Sequence, residues 1–140
     1  MGPVKFLLDT NVLSEPMKQA PNPGVMQHLA KFSPEISLSS PTWHEMLRGA
    51  FRLPEGKRRT AILDYLENRV YQSIPILPYD HAAAKWHAEQ RAALEAKGRT
   101  PPYVDGQIAA VAAVNGLELI TRNTGDFDGF SGLVVTDWSS

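Results

Sequence analysis

The chain has 140 residues, 43% hydrophobic and 21% charged, and no cysteine. That length suits one domain with a single core, and the missing thiols exclude disulfides and zinc–thiolate centres and make a reducing cytoplasm the natural setting. Fourteen basic and fifteen acidic residues leave a formal net charge of −1, which does not mark a nucleic-acid binder and does not exclude one whose cations cluster.

No apolar run approaches the roughly 20 residues of a membrane span. The stretch before Asp9 is too short for a secretory signal, and Phe6 stands where a myristoyl signal at Gly2 needs Ser or Thr.

Val4–Leu8 reads as a short apolar strand of the kind buried on both faces of a parallel sheet. Asn11–Met17 opens a short helix limited by Pro16. Asn22-Pro23 is a cap followed by proline and launches a helix to about Phe32. Ile36–Leu38 is a second strand, and Ser40-Pro41 repeats the cap signal for a helix through about Arg52. Leu53–Arg59, "LPEGKRR", is a polar turn before a helix to about Tyr71, with Ile62, Leu63, Leu66 and Val70 on one stripe. Ile74–Leu77 is a third strand. Asp80 caps a long helix that stops near Lys97 and Gly98. A helix from about Val104 to Asn115, a fourth strand at Leu117–Thr121 and a weak fifth at Leu133–Thr136 complete the chain. Alternating strands and helices predict an α/β fold with a mainly parallel sheet of four to five strands.

The stretch "FLLDTNVLSE" ends a buried strand on Asp9 with no lysine or arginine nearby in sequence. An isolated buried carboxylate costs several kcal/mol or more unless it is paired or coordinated. In open α/β sheets, sites form beyond the carboxyl ends of the strands. Asp9 sits at such an end, and Asp126 lies five residues past Thr121. Asp105 shares a helix face with Ile108, Ala109 and Ala112 and so faces the sheet. Glu45 opens the helix after the second strand, with Arg48, Gly49 and Arg52 on its face; Gly49 suggests a close approach there.

Each acid alone has an ordinary explanation as a helix or turn acid, except Asp9. Asp128 competes with Asp126, which lies nearer the strand end. Together, Asp9, Glu45, Asp105 and Asp126 would repel one another without a cation. An all-oxygen set suits Mg²⁺ or Mn²⁺ rather than zinc. Thr10, Asn11, Thr121 and Asn123 are positioned to orient carboxylates, although Thr10 reads better as a cap residue. Trp43 and Trp86 read as packing residues rather than base platforms. His44, His81 and His87 have no spacing that suggests a metal pair or a triad.

"FLLDTNVLSE", "TWHEMLRG" and "PPYVDGQIAAVAAVNGLELITRNTGDFDG" together resemble PIN-domain ribonucleases, specifically VapC-type toxins of bacterial toxin–antitoxin pairs. The resemblance runs from Lys5 to about Gly129. It implies a three-layer α/β/α sandwich, with residues 1–140 as one nuclease domain. It also implies that Asp9, Asp105 and Asp126 hold Mg²⁺ or Mn²⁺, and that Glu45 is a ligand or orients the attacking water. Thr121 and Asn11 match the family's polar helpers. The segment before Glu45 departs from the family's usual lead-in, with Trp43-His44 there and Met46 after.

The resemblance further implies an RNA substrate, a cognate antitoxin and a homodimer. Arg48, Arg52, Lys57, Arg58 and Arg59 are the candidate phosphate contacts, since backbone neutralisation supplies most non-specific affinity; an ordinary solvated face is as good a reading of 57–59. Two alternatives remain. A receiver-like phospho-aspartate domain also gathers acids around Mg²⁺, but it wants a second acid beside Asp9 and a lysine after the last strands, and no lysine follows Lys97. A catalytically inactive module of the same fold would bind RNA or protein only.

Overall fold

The computed structural model describes residues 3–139; Met1, Gly2 and Ser140, and with them the reading of Gly2, lie outside the described residues. The elements run β1 (Phe6–Leu8), α1 (Thr10–Leu13), α2 (Pro23–Lys31), β2 (Ile36–Ser39), α3 (Ser40–Arg52), α4 (Lys57–Tyr65), α5 (Tyr71–Ser73), β3 (Ile76–Leu77), α6 (His81–Ala96), α7 (Tyr103–Val114), β4 (Glu118–Ile120) and β5 (Val135–Thr136).

All four strand pairings are parallel, in the order β3-β2-β1-β4-β5. Register places Leu8 beside both Leu38 and Ile120. Side chains alternate across a strand, so the sheet feeds two cores. Leu7 and Leu119 pack with Ala83 and Leu94 of α6 and with Ile108 and Ala109 of α7. Leu8, Leu38 and Ile120 pack on the other face with Val12, Val25, Met46 and Leu66. Fully burying each such aliphatic side chain contributes about 1.5–3 kcal/mol. Helices therefore cover both faces, giving the three-layer α/β/α sandwich.

This order also decides between two α/β plans. Receiver-type sheets run 2-1-3-4-5, whereas here β1 lies between β2 and β4. The receiver-like alternative is overturned. The sequence reverses direction across the sheet between β1 and β4, and that switch point is where open α/β sheets bind ligands.

Several boundaries differ from expectation. β1 begins at Phe6, and Lys5 is exposed and paired with Glu35 at 3.0 Å. The cap of α3 is Ser39 rather than Ser40: Ser39 Oγ accepts from Thr42 N at 3.2 Å, while Ser40 Oγ accepts from Tyr79 N at 3.1 Å and ties down the segment after β3. The turn at 53–59 is shorter than expected because α4 already starts at Lys57. The helix beyond it widens into a π turn at Leu66–Val70, with Leu66 and Val70 buried. Gly49 makes no close approach, since nothing lies within 4 Å of where its Cβ would be. The caps Asn22 and Asp80 and the positive-φ stops Gly98 (77°) and Gly116 (64°) stand where the sequence placed them.

Candidate active site

Asp9 follows directly on β1. Its backbone is extended, and its Oδ1 caps α1 by accepting from Thr10 N at 2.8 Å. Its Oδ2 accepts from Thr121 Oγ1 at 2.8 Å, from the residue just past β4. Both partners are neutral, and no lysine or arginine among the described residues pairs with it. Burial raises the Asp9 carboxyl above its ordinary range; the Thr121 and Thr10 bonds oppose this, and the charges of Glu45 and Asp126 add to it. Thus the buried carboxylate is hydrogen-bonded but not neutralised.

Three other acids act on the same spot from three other segments. Asp105 sits in the first turn of α7. Its carboxyl is pushed up to about 6, first by burial and then by the charges of Asp9, Asp126 and Glu45. Glu45 projects from α3, and its Oε1 accepts from Thr10 Oγ1 at 2.8 Å. Asp126 lies in a 3₁₀ turn, Thr124–Phe127, anchored by the buried Phe127. Asp126, not Asp128, bears on Asp9 and Asp105. Asp128 instead pairs with Arg99 at 3.2 Å.

Among the described residues, no three His, Asp or Glu side chains stand close enough together, as placed, to hold a metal ion. The donor set nevertheless fits a hard divalent cation. It is all carboxylate, it carries no counter-charge, and burial together with mutual repulsion pushes the Asp105 carboxyl up to about 6.

Small polar residues brace this group. Thr121 Oγ1 accepts from Asn11 Nδ2 at 3.3 Å and from Asn123 N at 3.1 Å. Asn11 Oδ1 accepts from Arg122 N at 3.1 Å. Asn123 contributes through its backbone, and its side chain is exposed. Sequence reasoning undervalued Thr10, which bridges Asp9's loop to Glu45, and it gave no part to Glu15 or Arg122.

Glu15 is 1% exposed. Its Oε2 meets Arg122 Nη1 at 3.0 Å and Lys18 Nζ at 2.9 Å, and its Oε1 accepts from Asn22 N at 2.7 Å. The Lys18 and Asn22 bonds lead in lowering its carboxyl to about 2. The signal was available in the sequence: an acid and a base stand within a few residues of the two strand ends that carry Asp9 and Thr121.

Arg48, Arg52, Lys57 and Arg58 are exposed, and their side chains make no hydrogen bond or ion pair with any described residue. Arg48 lies one turn beyond Glu45 on α3 and Arg52 another turn on. Arg59 lies over the Phe51 ring at 5.4 Å. Trp43 packs on Tyr71 at 5.8 Å and Trp86 on Phe130 at 5.9 Å, as packing residues do. His87 is buried and bonded through Nδ1 to the Tyr79 hydroxyl at 3.0 Å.

Residues 6–132 match the family model for the PIN domain. The chain is 33% identical to the tRNA(fMet)-specific endonuclease VapC of Shigella flexneri, over 97% of this chain and 99% of that protein. FitAcB from Neisseria gonorrhoeae shares the fold with a TM-score of 0.85 at 34% identity, over 93% of this chain and 95% of that one. A member of the VapBC family of toxin–antitoxin systems from Mycobacterium tuberculosis, VapBC-5, does so with a TM-score of 0.71 at 27% identity, over 99% of this chain and 100% of that one. The chain belongs to the PIN-domain family, in its VapC branch.

Proposed function

We propose that the protein is a metal-dependent endoribonuclease and the toxin of a toxin–antitoxin pair, with Asp9, Glu45, Asp105 and Asp126 as its catalytic carboxylates. The observation that carries this reading is the convergence of four acids from four segments at the β1/β4 switch point, with Asp105 pushed up to about 6 by burial and then by the charges of the other three. Membership of the VapC branch supports RNA as substrate and an antitoxin as partner.

Asp9, Asp105 and Asp126 are the residues that would hold Mg²⁺ or Mn²⁺. When bound, such an ion activates water and offsets charge developing on the phosphoryl oxygens. The chain's own groups do the rest. The Thr10 N–H and the Thr121 hydroxyl hold both oxygens of Asp9 and so fix the plane of its carboxylate. Thr10 Oγ1 holds Glu45 on the rim, where its free carboxylate edge can orient a water or accept its proton. Arg48 and Arg52, unpaired on Glu45's helix, are placed to meet the RNA backbone, with Lys57, Arg58 and Arg59 extending the cationic edge.

The antitoxin would reach across the acidic group with a cation of its own, and a homodimer and a cytoplasmic setting complete the reading. No helix of the described residues is long and apolar enough to cross a membrane.

The test is cleavage of a mixed tRNA, rRNA and mRNA pool by purified, antitoxin-free protein. Discrete fragments in Mg²⁺ or Mn²⁺ that disappear with EDTA and with Asp9→Asn support the nuclease. Folded protein that leaves every RNA intact in both metals contradicts it and favours the inactive binding module.

A further inference from the structure

The turn that carries Asp105 is weakly closed by its own bonds. Pro102 stands at the N-cap of α7 and supplies no side-chain cap. The bond from Gly106 N to Pro102 O is long, at 3.4 Å. A helix start of this kind leaves backbone donors to be satisfied, or the turn to be held, by something else.

What holds it comes from α6. Arg91 lies over the Tyr103 ring, 3.7 Å from its centroid, and its Nη1 donates to Pro101 O at 2.7 Å. One turn earlier on the same face, His87 is 5% exposed and rests against Gly106 so closely that a Cβ at Gly106 would collide with its imidazole. The Tyr79 hydroxyl, bonded to His87 Nδ1 at 3.0 Å, keeps the ring from sliding away. Two residues of α6 therefore grip the residues on both sides of Asp105.

We propose that His87 and Arg91 form a clamp on the first turn of α7 that sets where the Asp105 carboxylate stands, and that they are positioning residues for metal-dependent cleavage. Gly106 is glycine because the clamp leaves no room for a side chain. The inference rests on the nuclease reading above and adds residues that touch neither metal nor RNA.

Calorimetric Mn²⁺ titration, melting curves and tRNA cleavage on the full chain test it. Alanine is ordinarily the better helix former, yet Gly106→Ala is expected to weaken Mn²⁺ binding about tenfold, the scale at which supports outside the ligand shell act. Adding His87→Ala removes the collision and is expected to return binding to within about threefold of His87→Ala alone, as coupled neighbours do. Arg91→Met, which keeps an apolar stem on Tyr103, is expected to weaken Mn²⁺ binding about tenfold as well, and it decides the matter alone if Gly106→Ala does not fold.

Wild-type Mn²⁺ affinity in Gly106→Ala and Arg91→Met, with only a lower melting temperature, overturns the clamp. So does a double variant that binds clearly more weakly than His87→Ala alone, by well over threefold. Wild type that neither binds Mn²⁺ nor cuts RNA overturns the metal reading and the clamp with it; wild type that does both while the variants match it overturns the clamp alone.

Discussion

At the scale of residues, Asp105 is where the conflict among the acids is most visible. Its carboxyl is pushed up from 3.8 to about 6, so near neutrality the metal-free fold carries a carboxylate that it disfavours. A folded-state value above the ordinary one means the ionised acid costs stability, and this cost appears as pH rises through about 6. Protons and a divalent cation then compete for the same oxygens. The upshift in melting temperature on adding Mn²⁺ should be larger at pH 7.5 than at pH 5. Asp105→Asn should raise the melting temperature of metal-free protein at pH 7.5 and abolish the Mn²⁺ response; thermal melts across pH with and without the ion check both.

Thr121 is the complementary case. Thr121→Val keeps the shape but removes the hydroxyl that donates to Asp9 Oδ2 and accepts from Asn11 and Asn123. A loss of about 10–100-fold in metal affinity or cleavage is expected from removing such an orienting group, with helix content by circular dichroism unchanged.

At the scale of elements, the strut between Glu15 and Arg122 joins the segment after α1 to the segment after β4. The second carries Thr121, and the first follows the short helix that Asp9 caps. Because the Glu15 carboxyl is held at about 2 rather than 4.5, its contribution is present above pH 4.5 and is lost as pH falls towards 2. Glu15→Gln should flatten that part of the acid limb in a plot of stability against pH and should lower stability at pH 7, as denaturant titrations at several pH values would report. Ser39→Ala removes the cap of α3 and should cost about 1 kcal/mol, whereas Ser40→Ala should disturb the segment after β3 through the lost bond to Tyr79 N.

These elements also show what the sequence revealed. Periodicity placed the strands and long helices, and Asn22, Asp80, Gly98 and Gly116 marked ends because each solves a local backbone problem on its own. Ser39 and Ser40 are both competent caps; the choice between them is made by β2, which runs through Ser39 to pair with Leu77. Gly49 and Gly106 are equally suggestive as letters. Only packing against His87 separates the glycine that is needed from the one that is not.

At the scale of the whole molecule, the sheet order brings the site together. Asp9 and Thr121 are 112 residues apart and meet because β1 and β4 are neighbours. The four acids were named from strand ends and helix starts, which are local features of the sequence. Their gathering at the carboxyl edge was expected from the α/β plan, but which strand ends are neighbours is set by the order β3-β2-β1-β4-β5. Thr10 was undervalued, and Glu15 and Arg122 were passed over, because each bonds across segments: the acid and the base stand near the two strand ends, but only the sheet order pairs them.

The two-sided core sets stability and the carboxyl edge sets chemistry, so the two should be separable. Leu119→Ala, in the core shared by β4 and α7, should cost about 2–5 kcal/mol. It should leave the Mg²⁺ concentration for half-maximal cleavage nearly unchanged well below its melting point, which denaturant curves and metal titrations on one preparation would establish.

On the reading proposed above, a divalent cation joins acids from separate segments. Crystals soaked in Mn²⁺, with an anomalous difference map, test it most directly. A peak is expected among the carboxylates of Asp9, Asp105 and Asp126, about 2.1 Å from their oxygens as hard octahedral ions require. An absent peak, or strong peaks only elsewhere with the four acids undisturbed, would contradict it.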